Sequence, residues 1–245
     1  VLDYGCGRGT LGKALREKGY LFPDTPWRSL NDRFGSFHPG NLFVIGAPTH
    51  HGKSLMAECI AEHNARRGHR VFYFHLELTE YEMVGRKMCR LSDNITRNDV
   101  ERASIDPAEL ARIGQVEYDW AGKVRYIYCP GVTASWIASV IRREAALQRG
   151  DLFIVDYLHM LAPEVCPSGS GRTDEMHRAT SVGILKTAAN LANVPVLLLS
   201  QLNKEYGGRG GSTGPRLVIT DLRDSGQIGE KANGVFLLWN EGVFA

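Results

Sequence analysis

The chain has 245 residues, 43% of them hydrophobic and 23% charged, with a formal net charge of +2. That length and apolar content suit one large α/β domain with a sizeable core, and near-neutrality excludes a protein that holds nucleic acid by overall positive charge. The five cysteines (Cys6, Cys59, Cys89, Cys129, Cys166) form no C-x-x-C pair, which argues against a zinc site or disulfide framework and for a reducing, cytoplasmic setting. No apolar run approaches a membrane span and no signal-like segment opens the sequence. Val1 in place of Met, and an end just past the strand-like GVFLLWNEGVFA, make the chain read as a fragment at both ends.

Residues 1–26 read as a lead-in to a domain covering 27–245. In VLDYGCGRGTLGKALREKGY, Asp3, Gly5, Gly7 and Gly9 stand where S-adenosylmethionine-dependent methyltransferases carry D-x-G-x-G-x-G, a resemblance of about 20 residues. One βα unit cannot build that cofactor pocket, so a remnant or linker is expected rather than methyl transfer. Thr25–Gly40 is turn-rich, and His38-Pro39-Gly40 marks the turn into the next strand.

Asn41–Ser54, NLFVIGAPTHHGKS, is the central signal. A strand-like run stops at Gly46, a loop closes on Gly52-Lys53-Ser54, and Leu55, Met56, Cys59, Ile60 and His63 follow at helical spacing. Strand, glycine loop and helix in that order are the context of a phosphate-binding P-loop, where backbone N–H groups and the helix dipole meet phosphate oxygens. Gly46, Ala47, Pro48, Thr49, His50, His51, Gly52, Lys53 and Ser54 are the cofactor-binding candidates. Lys53 would reach the β/γ-phosphates of a nucleotide and Ser54 would ligate Mg²⁺. The standard spacing puts Ala47 at the first loop glycine, with Gly46 one place early. As side chains, His50 and His51 read as solvent-facing.

Val71–Leu76 reads as a buried strand ending at Glu77. Groups at such carboxyl ends face the ligand crevice, so Glu77 is a candidate to polarise a water beside the γ-phosphate; an ordinary first-turn glutamate fits its position equally well. Glu80–Leu91 has a helical pattern. Ser92–Trp120 is polar, with one helix expected at Pro107–Val116 behind Asp106. A strand at Val124–Cys129 and a helix from Thr133 or Ser135 to about Gln148 follow, the helix burying Trp136, Val140 and Ile141 and turning Arg142, Arg143 and Arg149 outward.

Asp151–Asp156 is an apolar strand ending in a carboxylate, the Walker B arrangement, with Asp156 as the second Mg²⁺ candidate. A helix at Thr180–Ala192 leads to the strand Val196–Leu199 and then Ser200-Gln201, where an amide could sense the γ-phosphate. Two Gly/Ser/Pro-rich segments, Pro163–Arg172 and Tyr206–Arg216, carry arginines; they suit backbone contacts to single-stranded nucleic acid, or plain solvated loops. A short helix and a last strand, Gly234–Trp239, close the reading.

Together GAPTHHGKS, FHLEL, LFIVDYLHML, VPVLLLSQLNKE and DLRDSGQIGEKAN resemble, in order, the motifs of the C-terminal motor domain of DnaB-type replicative DNA helicases. That family also carries Gly-Ala where the standard P-loop has one glycine. The resemblance implies an α/β, RecA-like P-loop NTPase with a mostly parallel central sheet flanked by helices. It implies ATP with Mg²⁺, Glu77 as catalytic base, Lys53 and Gln201 at the γ-phosphate, and Ser54 and Asp156 at the metal. It further implies a hexameric ring around single-stranded DNA, with Arg172, Arg209, Arg216 and Arg223 as candidate DNA contacts and with primase or loader proteins as partners. The family's trans-acting arginine finger would fall past Ala245, so weak hydrolysis by this chain alone is expected. A non-motor RecA-like DNA-binding or regulatory ATPase is the alternative.

Overall fold

The structure, a computed structural model, describes residues 22–118, 120–164, 174–202, 217–222 and 225–240. Its strands are β1 (Leu42–Ala47), β2 (Val71–His75), β3 (Val124–Tyr128), β4 (Leu152–Asp156), β5 (Val196–Gln201) and β6 (Gly234–Leu237). They form one sheet in the order β3-β2-β4-β5-β1-β6, and every pairing is parallel. The α-helices are α1 (Arg28–Phe34), α2 (Lys53–Arg66), α3 (Glu80–Leu91), α4 (Arg97–Glu101), α5 (Pro107–Tyr118), α6 (Ala134–Ala146), α7 (Asp174–Ala192) and α8 (Ser225–Lys231).

A parallel sheet is covered on both faces, so its central strands are apolar at every position rather than at alternate ones. Phe43, Ile45, Tyr73, Leu152, Ile154, Leu197 and Leu199 pack on one face with Ala57, Ile60, Ala61 and Ala65 of α2. Leu42, Val44, Phe72, Phe74, Phe153, Val155, Val196 and Leu198 point the other way, into α6 and α7. Side chains alternate along a strand, so the same period brings Ala47, His75, Asp156 and Gln201 to the α2 face at the carboxyl ends of their strands. The candidate site is therefore a product of sheet register.

Helix starts follow local chemistry. Thr79 with Glu82, and Thr96 with Asp99, form reciprocal capping boxes on α3 and α4, and the Thr133 hydroxyl accepts from the Trp136 N–H on α6. The entry segment is tied to α2 instead. Asp24 N–H donates to Asn64 Oδ1 at 3.0 Å, while Asn64 Nδ2 donates to the carbonyls of Asp24 and Ile60, each at 2.8 Å. The Asp24 carboxylate meets His63 Nε2 at 2.9 Å and pairs with Arg67.

Several elements depart from the sequence expectation. Thr25–Gly40 is not all turn: α1 forms there because Phe34 packs edge-on against Phe37, Phe43 and Phe236, at 5.6, 5.0 and 4.5 Å. The polar stretch after Ser92 holds a second helix, α4, which the Thr96-x-x-Asp99 box starts. Trp136 is 42% exposed rather than buried; the buried stripe of α6 runs through Ala134, Ile137, Ala138, Ile141 and Glu144, and Trp136 only edges Phe74 at 6.4 Å. Arg142, Arg143 and Arg149 are exposed as expected. α7 begins at Asp174 rather than Thr180, and β6 stops at Leu237 as a half-buried edge strand. Residues 1–21, with the methyltransferase-like motif, lie outside the described residues. Among the described residues no helix is long and apolar enough to cross a membrane.

Glu58 on α2 is 2% exposed, with Arg90 Nε 3.8 Å from its carboxylate. Burial raises its pKa from the usual 4.5 to about 7, against the pull of Arg90 and Arg86. The folded chain thus binds a proton that the unfolded chain releases, so stability falls as pH rises from the unfolded pKa through the folded one. The shift corresponds to an upper bound of roughly 3 kcal/mol. Urea denaturation at about pH 5 and about pH 8 is expected to register that fall. Glu58→Gln should flatten it, and an unchanged slope in the variant would contradict the assignment.

Candidate nucleotide site

The segment Pro48–Gly52 leaves the end of β1 and enters α2. Left-handed backbone at His50 (φ 67°) and Gly52 (φ 86°) turns it, the kind of conformation that gathers N–H groups into an anion-binding concavity. Gly52 is the N-cap of α2 and offers no side-chain cap, and the first turn holds no acidic residue. Where α3, α4 and α6 satisfy first-turn donors with threonine, α2 leaves its own to a ligand.

These donors open onto a cleft of about 250 Å³ at the carboxyl ends of the strands. Thr49, His50, Gly52, Lys53 and Ser54 line it from the loop and helix, with His75, Glu77, Leu78, Arg86, Asp156 and Gln201 opposite. Asp156 is 6% exposed. Tyr73 donates its hydroxyl to Asp156 Oδ2 at 2.9 Å, and Ser54 lines the same cleft as the carboxylate. Burial raises the Asp156 pKa, while the hydroxyls of Ser54 and Tyr73 and the charge of Lys53 oppose it. Lys53 is 8% exposed, its Nζ 4.8 Å from the centre of the Tyr157 ring. Desolvation lowers its pKa, and Asp156 and Glu77 draw it back up. Glu77 is exposed at the cleft edge.

No cluster of three or more His, Cys, Asp or Glu side chains that could hold a metal exists among the described residues. Magnesium does not require one, because it keeps waters and takes one or two carboxylates beside phosphate oxygens. A buried carboxylate sharing the cleft with a serine hydroxyl at the start of α2 fits that chemistry.

The structure separates the loop candidates. Thr49, His50, Gly52, Lys53 and Ser54 line the cleft; Gly46, Ala47, Pro48 and His51 do not. Gly46 and Ala47 are strand residues. A Cβ on Gly46 would lie 2.2 Å from Leu222 Cδ2 and 3.1 Å from Leu237 Cδ2, so this early glycine answers to packing. His51 is 2% exposed rather than solvent-facing. Its ring lies 4.5 Å from that of Trp239, and its Nδ1 accepts from the Asn240 N–H at 3.1 Å. Gln201 pairs in register with Ala47 and lines the cleft. Arg172, Arg209, Arg216 and Arg223 lie outside the described residues.

Two cleft residues, Arg86 and His75, and a neighbour of Lys53, Tyr157, carry no readable signal in the sequence. Arg86 reaches the cleft from α3, one side chain among several on an amphipathic helix. The Tyr157 ring packs against the Lys53 ammonium. His75 sits beside Asp156 in register. A larger groove of about 520 Å³ lies between α2, α3 and α4 and shares Leu55 and Arg86 with the cleft. It lacks the P-loop donors, so size does not mark the candidate nucleotide site.

A parallel α/β sheet with a phosphate loop after β1 and a buried carboxylate at the end of β4 defines a P-loop ATPase fold of the RecA-like kind. Solved structures agree: a DnaB-like replicative helicase described with its interactions with primase superposes with a TM-score of 0.79 at 18% identity, covering 96% of this chain and 56% of that one. The ATPase domain of G40P gives 0.77 at 19% identity, covering 96% and 83%. The family model for the DnaB-like helicase C terminal domain matches residues 24–245, and the chain belongs to that family. It is 27% identical over 240 residues to the replicative DNA helicase DnaB of Pasteurella multocida (strain Pm70), covering 96% of this chain and 50% of that protein. It is 26% identical over 226 residues to DnaB of Helicobacter pylori (strain ATCC 700392 / 26695), covering 90% and 44%. The chain thus spans about half the length of the curated relatives it matches.

Proposed function

We propose that this chain is the ATP-hydrolysing motor of a replicative DNA helicase, coupling nucleotide turnover to movement on single-stranded DNA. The convergence of Lys53, Ser54, Glu77 and Asp156 on one cleft carries the reading. Lys53 and the open N-terminus of α2 hold the phosphates, and Glu77 takes the proton of the attacking water. Ser54 and Asp156 hold Mg²⁺, which when bound supplies positive charge against the phosphate oxygens. Gln201 reports the γ-phosphate, Tyr157 packs against Lys53, and Arg86 adds positive charge from α3. The domain occupies 27–245 behind a lead-in, works in the cytoplasm and assembles as a hexameric ring. The segments 163–172 and 206–216, with Arg172, Arg209, Arg216 and Arg223, meet single-stranded DNA in its centre. Primase or a loader binds the assembled ring. No observation favours the non-motor alternative.

Titration with a fluorescent ADP in the presence of Mg²⁺ tests the site. Lys53→Ala is expected to weaken binding by about 10- to 100-fold, the worth of a buried charge-assisted bond. Equal affinity in both forms would contradict the phosphate-binding role.

A further inference from the structure

His75 closes β2 with its ring held on several sides. It is 1% exposed and stacks on Tyr128 at 5.4 Å, and its backbone carbonyl accepts from the Cys129 N–H. Nδ1 lies 2.7 Å from the Leu78 carbonyl oxygen. A carbonyl only accepts, so Nδ1 carries the proton in this bond. Nε2 is buried with no hydrogen-bond partner among the described residues, a condition that costs about 1–3 kcal/mol. An apolar side chain would fill this place without that cost, which directs attention to the one bond the ring does make.

That bond spans Glu77. Leu76 N–H is fixed on the Asp156 carbonyl at 2.9 Å, and α3 begins behind the Thr79 cap. Between these anchors only Glu77 and Leu78 are left to turn, and the imidazole ties the Leu78 carbonyl back to the strand end. We propose that His75 is a positioning residue, its Nδ1–H bond to Leu78 holding the turn that aims Glu77 into the nucleotide cleft. The proposal rests on Glu77 as the base.

Asparagine places an amide N–H near the position of Nδ1, glutamine places one near Nε2, and alanine has neither. Turnover of ATP is expected to fall about 10- to 100-fold in His75→Ala and His75→Gln, the scale of a misplaced reacting group, and to stay within about 3-fold in His75→Asn. Fluorescent-ADP affinity should fall less than turnover does in the alanine and glutamine forms; an equal fall would make His75 a binding residue and overturn the proposal. Hydrogen exchange of the 76–79 segment should accelerate about 10-fold in the alanine and glutamine forms alone. Equal losses in the asparagine and alanine forms, rescue by glutamine, or uniform exchange would overturn the proposal. Should His75→Ala not fold, His75→Gln is the bond-breaking variant. Glu77→Gln run alongside separates the two claims. If it turns over like the parent, the base assignment fails with the proposal's catalytic meaning, and exchange alone decides whether His75 holds the turn.

Discussion

Glu77→Gln is expected to lower ATP turnover by about 10²- to 10⁴-fold, the usual contribution of a general base, while nucleotide affinity changes by less than about 3-fold. Glutamine keeps the shape of the side chain and its hydrogen bonds to water but cannot take up a proton. Glu77 is exposed at the end of β2 and lines the cleft that also holds Lys53 and Asp156. Its side chain can therefore meet a water beside the phosphates without supporting the core. Steady-state hydrolysis beside an ADP titration separates the two quantities. Turnover preserved in Glu77→Gln would move the base elsewhere in the cleft. Lost affinity with lost turnover would make Glu77 a binding residue.

Asn64→Ala is expected to destabilise the fold by about 2–4 kcal/mol, because two buried backbone groups of Asp24 lose their partner at once. Asn64 is fully buried and serves Asp24 N–H, the Asp24 carbonyl and the Ile60 carbonyl. Removing it leaves the entry segment held to the flank of α2 by the Asp24 carboxylate alone, through His63 and Arg67. Urea denaturation followed by far-UV circular dichroism measures the loss. A change below about 0.5 kcal/mol would show that water satisfies these groups as well as the amide does.

The strands and their terminal polar residues are legible because a doubly covered parallel sheet writes itself as continuous apolar runs, and three of these runs end beside a residue that lines the candidate cleft. Glu77, Asp156 and Gln201 could thus be picked by position, and the structure brings all three to one cleft. What could not be read depends on partners remote in the chain. His51 looks like a loop histidine until Asn240, 189 residues further on, donates to it. Gly46 looks like a misplaced phosphate-loop glycine until Leu222 and Leu237 pack where its Cβ would be. The helix α1 needs the rings of Phe43 and Phe236 to stabilise it. Trp136 stands on the apolar side of the sequence pattern, but a helical stripe fixes its phase only once the facing sheet is known, and the buried stripe passes through Ile137 instead.

The most direct test of the motor reading is ATP hydrolysis by this chain with and without single-stranded DNA, with Lys53→Ala as the control. Hydrolysis that rises with DNA and is lost in Lys53→Ala is the predicted result. Hydrolysis that is indifferent to DNA, or that survives in Lys53→Ala, would contradict a DNA-coupled motor built on this cleft.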